Sequence, residues 1–141
     1  MEFPIVTATA AGAIIILQQI LMLSTGTHRF KTNIGVGVAE DRHLERKMRR
    51  HGNLAENSAI YLLVLAFAEL YNSGSTAITV FAVLFVVSRA AHALGFMSLA
   101  GSHVAEGSKL FPTMRAIGAF GTALGGIALG AYVLLTLFKI L

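Results

Sequence analysis

On a helix, Arg49, Asn53 and Glu56 stand at i, i+4 and i+7 and so share one face. Arg46 extends that stripe one turn earlier, and His51 falls within the same stretch. A guanidinium, an amide and a carboxylate in line suit a zwitterionic ligand, because each ligand charge finds a partner. The competing reading is an Arg–Glu pair that neutralises itself where a helix enters a membrane. The aligned Asn53 favours the ligand. Further along, Arg89 and His92 are i, i+3, with Phe96 one turn on along the same face. Arg115 follows Pro112, a residue suited to the first turn of a helix, and Arg29 closes an earlier apolar stretch. For Arg29 and Arg115, simple snorkelling to phosphate headgroups competes with a role in binding.

Other chemistries find little support. The chain has no cysteine, so a protein-borne thiol nucleophile, a disulfide and a thiolate metal site are all excluded. No H-x-x-x-H pair occurs, and neither metal nor haem is expected. There is no G-x-x-x-x-G-K phosphate loop. Glycines gather instead at Gly118, Gly121, Gly125, Gly126 and Gly130, at spacings that read as close helix packing. Gln18 and Gln19 read as buried amides with structural hydrogen bonds.

The elements that must position these residues follow from composition. Of 141 residues, 55% are hydrophobic and 13% charged, with a mean hydropathy of +0.72. A soluble domain carries about 25% charged residues, so the chain belongs in a membrane. Four stretches can cross a bilayer: residues 3–27, 54–71, 76–99 and 116–138. The expected fold is an all-α integral membrane protein, a single bundle of four transmembrane helices. The N-terminal stretch has no basic n-region and is too long for a signal peptide. Of eleven Lys and Arg residues, Arg29, Lys31, Arg42, Arg46, Lys47, Arg49 and Arg50 lie between the first two spans. Positive residues stay in the cytoplasm, so both termini should face away from it. Arg29, Arg49, Arg89 and Arg115 then bring a cation from each helix towards one cytoplasmic rim, where the start of helix four adds positive potential at Arg115. The basic pI near 9.9 is absorbed by this topology, and no nucleic-acid surface is read.

The stretch Glu45-Arg-Lys-Met-Arg-Arg-His-Gly-Asn-Leu-Ala-Glu-Asn57 resembles the signature of the MAPEG family, the membrane-associated proteins of eicosanoid and glutathione metabolism. Arg89-x-x-His92 and Pro112-x-x-Arg115 fall in the family's order and depth, and the run R-x-x-H-x-x-G-F resembles its bacterial branch. The resemblance implies a homotrimer of four-helix bundles with a glutathione site at each subunit interface. It implies that Arg29, Arg49, Asn53, Glu56, His92 and Arg115 line that site, with Arg115 stabilising the glutathione thiolate as the catalytic residue. The polar stripes add Arg46, His51, Arg89 and Phe96 as glutathione contacts. Two departures bear on rate: Phe96 stands where relatives often have tyrosine, and Ala116 where some have serine.

The leading expectation is therefore a glutathione transferase or peroxidase, with glutathione as co-substrate and a lipophilic electrophile or lipid hydroperoxide arriving from the membrane lipids. The rival is a non-catalytic lipid- or glutathione-binding member, supported by Phe96 and Ala116. A channel or transporter subunit lacks the paired broken helices or internal repeat such proteins show. In a bacterium, the location would be the inner membrane.

Overall fold

The computed structural model describes residues 2–102 and 108–138. They form α1 (Ile5–Thr32), α2 (Arg42–Tyr71), α3 (Thr76–Gly95) and α4 (Leu110–Leu137), with a short 3-10 helix at Leu99–Ser102 between the last two. All four long helices are apolar enough to span a membrane, and no strand occurs among the described residues. The chain is an all-α, four-helix membrane bundle.

The 20 residues of α3 reach about 30 Å, the thickness of a hydrocarbon core. The other helices, at 28 to 30 residues, outrun it. The excess lies at the basic end of the bundle. There α2 starts at Arg42 instead of Leu54, because Asp41 caps it: Oδ1 accepts from the backbone N–H of His43 (2.8 Å) and Leu44 (3.0 Å). The other oxygen meets His28 Nε2 at 2.7 Å, tying the α2 start to α1. The Asp41 carboxyl is lowered from its usual 3.8 to about 2, first by the His28 hydrogen bond and then by the Leu44 amide. Likewise α4 starts at Leu110, ahead of its apolar stretch, with Pro112 in the first turn, where its missing N–H costs nothing.

At the opposite end, Glu69 of α2 accepts from the backbone N–H groups of Val6 (2.9 Å) and Thr7 (2.8 Å). A carboxylate from a neighbouring helix thus caps α1, which starts after Pro4 and has no side-chain cap of its own. The core fills the space between. Tyr61 stacks on Phe85 with centroids 3.9 Å apart, above Leu65, Ile78 and Leu129. Between α3 and α4 the backbones nearly touch: a Cβ on Gly118 would collide with His92 N and the Ser88 carbonyl. Gly118 and Gly121 therefore pack within the chain against α3, whereas Gly130 faces open space.

Two further expectations change. The third span was expected to reach residue 99, but α3 stops at Gly95, with Phe96 as its C-cap. Glycine is a poor helix former, and here its bare backbone lies against Arg115 of α4. Gln18 and Gln19 are not buried amides. Gln18 is half-buried, Gln19 is exposed, and neither side chain makes a hydrogen bond within the described residues.

Candidate functional site

The basic end of the bundle holds a cavity of about 740 Å³ between α2, the end of α3 and the start of α4. From α2 come Arg42, Glu45, Arg46, Arg49 and Asn53. This set repeats at helical spacing, so the early start of α2 is what builds one wall. From the end of α3 come His92, Phe96 and, past the helix, Leu99; α4 supplies Arg115 and Ala119. Four arginines face one carboxylate, so the cavity is strongly electropositive. Arg46 Nε is buried with no partner among the described residues, a donor left open beside the cavity. Asn53 donates Nδ2 to the Arg49 carbonyl at 2.8 Å, which leaves its own oxygen to accept.

Two contacts show how Arg115 is placed. A Cβ on Gly95 would lie 2.6 Å from Arg115 N and 2.7 Å from Arg115 Cα, so only glycine lets the α4 backbone come this close. The Arg115 guanidinium then sits over the Phe96 ring, with Cζ 4.9 Å from its centroid. Phe96 in turn leans on His92 at 5.1 Å between centroids. The Phe96 ring therefore has a stacking function, directed at Arg115. Because α4 begins at Leu110, Arg115 lies in the second turn, where the positive potential of the helix start has largely faded. Whatever Arg115 does to a bound anion, it does with its own charge.

Six expected residues, Arg46, Arg49, Asn53, His92, Phe96 and Arg115, thus meet at one cavity. Four lie elsewhere. Arg29 turns to the loop after α1, donating Nη1 to the Ile34 and Gly35 carbonyls (both 3.1 Å) and Nη2 to Met48 Sδ. That loop must turn sharply past Asn33, which adopts the left-handed conformation (φ 56°), and its carbonyls need donors. His51 is half-buried off the cavity wall, and Glu56 is exposed one turn deeper along α2, unpaired with Arg49. Arg89 is 2% exposed and lies behind His92, outside the cavity.

Arg42, Glu45, Leu99 and Ala119 were missed. For the first two a signal existed: Asp41 as N-cap, followed by 42, 45/46, 49 and 53 at helical spacing. Leu99 had none, since it enters only because α3 ends early. Among the described residues no three His, Asp or Glu side chains gather as a metal site.

Chemically, the cavity can hold a small ligand with more negative than positive charge and stabilise a further anion beside Arg115. No curated protein and no solved structure matches the chain closely enough to carry an argument. The MAPEG family model matches residues 7–136, nearly the whole length, and takes in the cavity and all but the outermost residues of the four helices; the chain belongs to the MAPEG family.

Proposed function

We propose that this protein is an integral-membrane glutathione transferase or peroxidase whose cavity holds the tripeptide. The observation that carries the reading is the convergence of Arg42, Arg46, Arg49 and Arg115 with Glu45 and Asn53 on one cavity. Glutathione brings two carboxylates, one ammonium and a thiol. The arginines match the carboxylates, Glu45 matches the ammonium, and the open Arg46 Nε gains an acceptor. With the thiol near Arg115, Coulomb attraction favours the thiolate, the attacking species. In conjugation the thiolate sulfur bonds to an electrophilic carbon, the leaving group departs with its electron pair, and the thiol proton goes to water. A lipophilic second substrate enters from the surrounding lipid.

The same reading includes a homotrimer. The side chains of Gln18 and Gln19 have no hydrogen-bond partner among the described residues although they lie within a membrane span, which favours a second copy as the acceptor. In such an assembly Glu56, exposed and off the cavity of one chain, is available to a neighbour's site, whereas Arg29 stays committed to its own loop. The concentration of cations between α1 and α2 favours a cytoplasmic cavity, with both termini opposite and, in a bacterium, the inner membrane as the location.

The test is conjugation of glutathione to 1-chloro-2,4-dinitrobenzene by the detergent-purified protein, with calorimetric binding of glutathione in parallel. Turnover together with binding is the expected result; absence of binding overturns the reading. A second reading, binding without turnover, is favoured by Ala116, which offers no hydroxyl beside Arg115. Binding without conjugation or peroxide reduction would select it.

A further inference from the structure

We propose that Arg89 is a positioning residue that acts on the cavity through His92, holding the imidazole as the neutral tautomer with its proton on Nε2. His92 then meets a ligand as a hydrogen-bond donor and has no free lone pair with which to act as a base. Arg89 lies on α3 at 2% exposure, facing no carboxylate among the described residues. Its contacts are Nη1 to Thr122 Oγ1 and Nη2 to His92 Nδ1, both at 3.2 Å. The direction of every bond in this chain is fixed. Thr122 donates its only hydroxyl proton to the Gly118 carbonyl at 2.8 Å, so towards Arg89 it can only accept. A guanidinium has donors alone, so His92 Nδ1 must present its lone pair to Arg89. A neutral imidazole has one proton, and it is left on Nε2.

Placement turns this into a property of the site. His92 lines the cavity and Arg89 does not. The ring is clamped on both sides, by Arg89 at Nδ1 and by the tilted Phe96 ring 5.1 Å away. Its backbone is pressed against Gly118, the residue whose carbonyl anchors Thr122. One turn of α4 therefore fixes where His92 sits and, through Thr122 and Arg89, which nitrogen carries the proton. A cavity rich in arginine thereby gains a neutral donor, which a carboxylate, an amide carbonyl or a thiolate of the ligand can accept. This last step rests on the glutathione reading; the tautomer does not.

Long-range proton–nitrogen correlation spectra of the full-length protein, labelled at histidine and held in detergent micelles, read the tautomer directly. The His92 signal is assigned by its loss in His92→Gln. The expected wild-type spectrum near pH 7 shows His92 protonated on Nε2 alone. A proton on Nδ1, or on both nitrogens, overturns the proposal. In Arg89→Met the Nδ1-protonated form should appear and glutathione binding should weaken about five- to tenfold. An unchanged tautomer in that variant overturns the role of Arg89. Should Arg89→Met fail to fold, the wild-type spectrum decides alone. Adding glutathione should shift the Nε2 proton. An Nε2-protonated His92 that ignores millimolar glutathione supports the tautomer and overturns the glutathione reading instead.

Discussion

Replacing Phe96 with leucine tests whether the ring beneath Arg115 matters to the reaction. The Arg115 guanidinium lies 4.9 Å from the ring centroid, inside the roughly 6 Å range of a cation–π contact. Phe96 is 7% exposed and Arg115 is half-buried, so the contact is partly shielded from solvent. That places it in the upper part of the usual range, about 1–2 kcal/mol. Leucine keeps an apolar side chain of similar reach but offers no quadrupole, so the guanidinium loses its platform while the packing changes little. If Arg115 stabilises the thiolate only from its present position, kcat/KM for conjugation should fall about 5- to 30-fold. The bound thiol should titrate at higher pH, read by thiolate absorbance in the ultraviolet. Arg115→Gln should move both readouts in the same direction and further. Phe96→Tyr keeps a ring and should stay within about twofold of wild type. Equal kcat/KM and coincident titrations in wild type and Phe96→Leu would refute the reasoning, provided the wild type turns over.

Gly95→Ala puts a Cβ 2.6 Å from Arg115 N, so α4 must retreat by about 1 Å to reach an ordinary contact. Overpacking of this kind costs about 1–3 kcal/mol, seen as a lower melting temperature, and the displaced Arg115 should cut turnover by up to about 100-fold. Glu69→Ala orphans the N–H groups of Val6 and Thr7 and should lower stability by about 2–3 kcal/mol in a detergent melt, leaving glutathione affinity unchanged. Asp41 sets an acid limit. Its pKa is depressed from 3.8 to about 2, so its contribution is complete above about pH 4 and is lost as the pH falls towards 2. Melting temperatures of wild type and Asp41→Asn should therefore differ at neutral pH and converge near pH 2.

The four helices were legible because apolar runs of bilayer length leave few alternatives, and the cationic loop between the first two spans marks one end of the bundle. The helix ends were harder. A hydropathy reading starts the second span at Leu54, where the charges stop, but backbone hydrogen bonding does not stop there. Asp41 caps the helix so that it starts twelve residues earlier, at Arg42, and the segment from Arg42 to Asn53 becomes a cavity wall. Arg29 and Arg89 show the converse limit. Each is a cation at about the right depth, and depth alone does not tell a ligand-facing guanidinium from one committed to loop carbonyls or to a threonine and a histidine. Phe96 looked like a missing hydroxyl, because its partner lies on another helix and no spacing rule links the two.

Arg89 also explains why the α3–α4 seam is as tight as it is. A buried cation without a carboxylate needs neutral acceptors held in place, or its desolvation goes unanswered. Thr122 is oriented to accept because its hydroxyl proton is taken by the Gly118 carbonyl, and Gly118 can lie that near α3 only because it has no side chain to strike His92 and Ser88. The glycine, the threonine, the arginine and the histidine form one dependency running from α4 into α3 and back to the cavity. Gly95 repeats the arrangement one turn above, where the absent side chain admits the backbone of Arg115. Close glycine packing in this bundle therefore sets the positions of two side chains that line the cavity, His92 of α3 and Arg115 of α4. The α2 wall supplies most of the positive charge, and the seam opposite it sets the geometry.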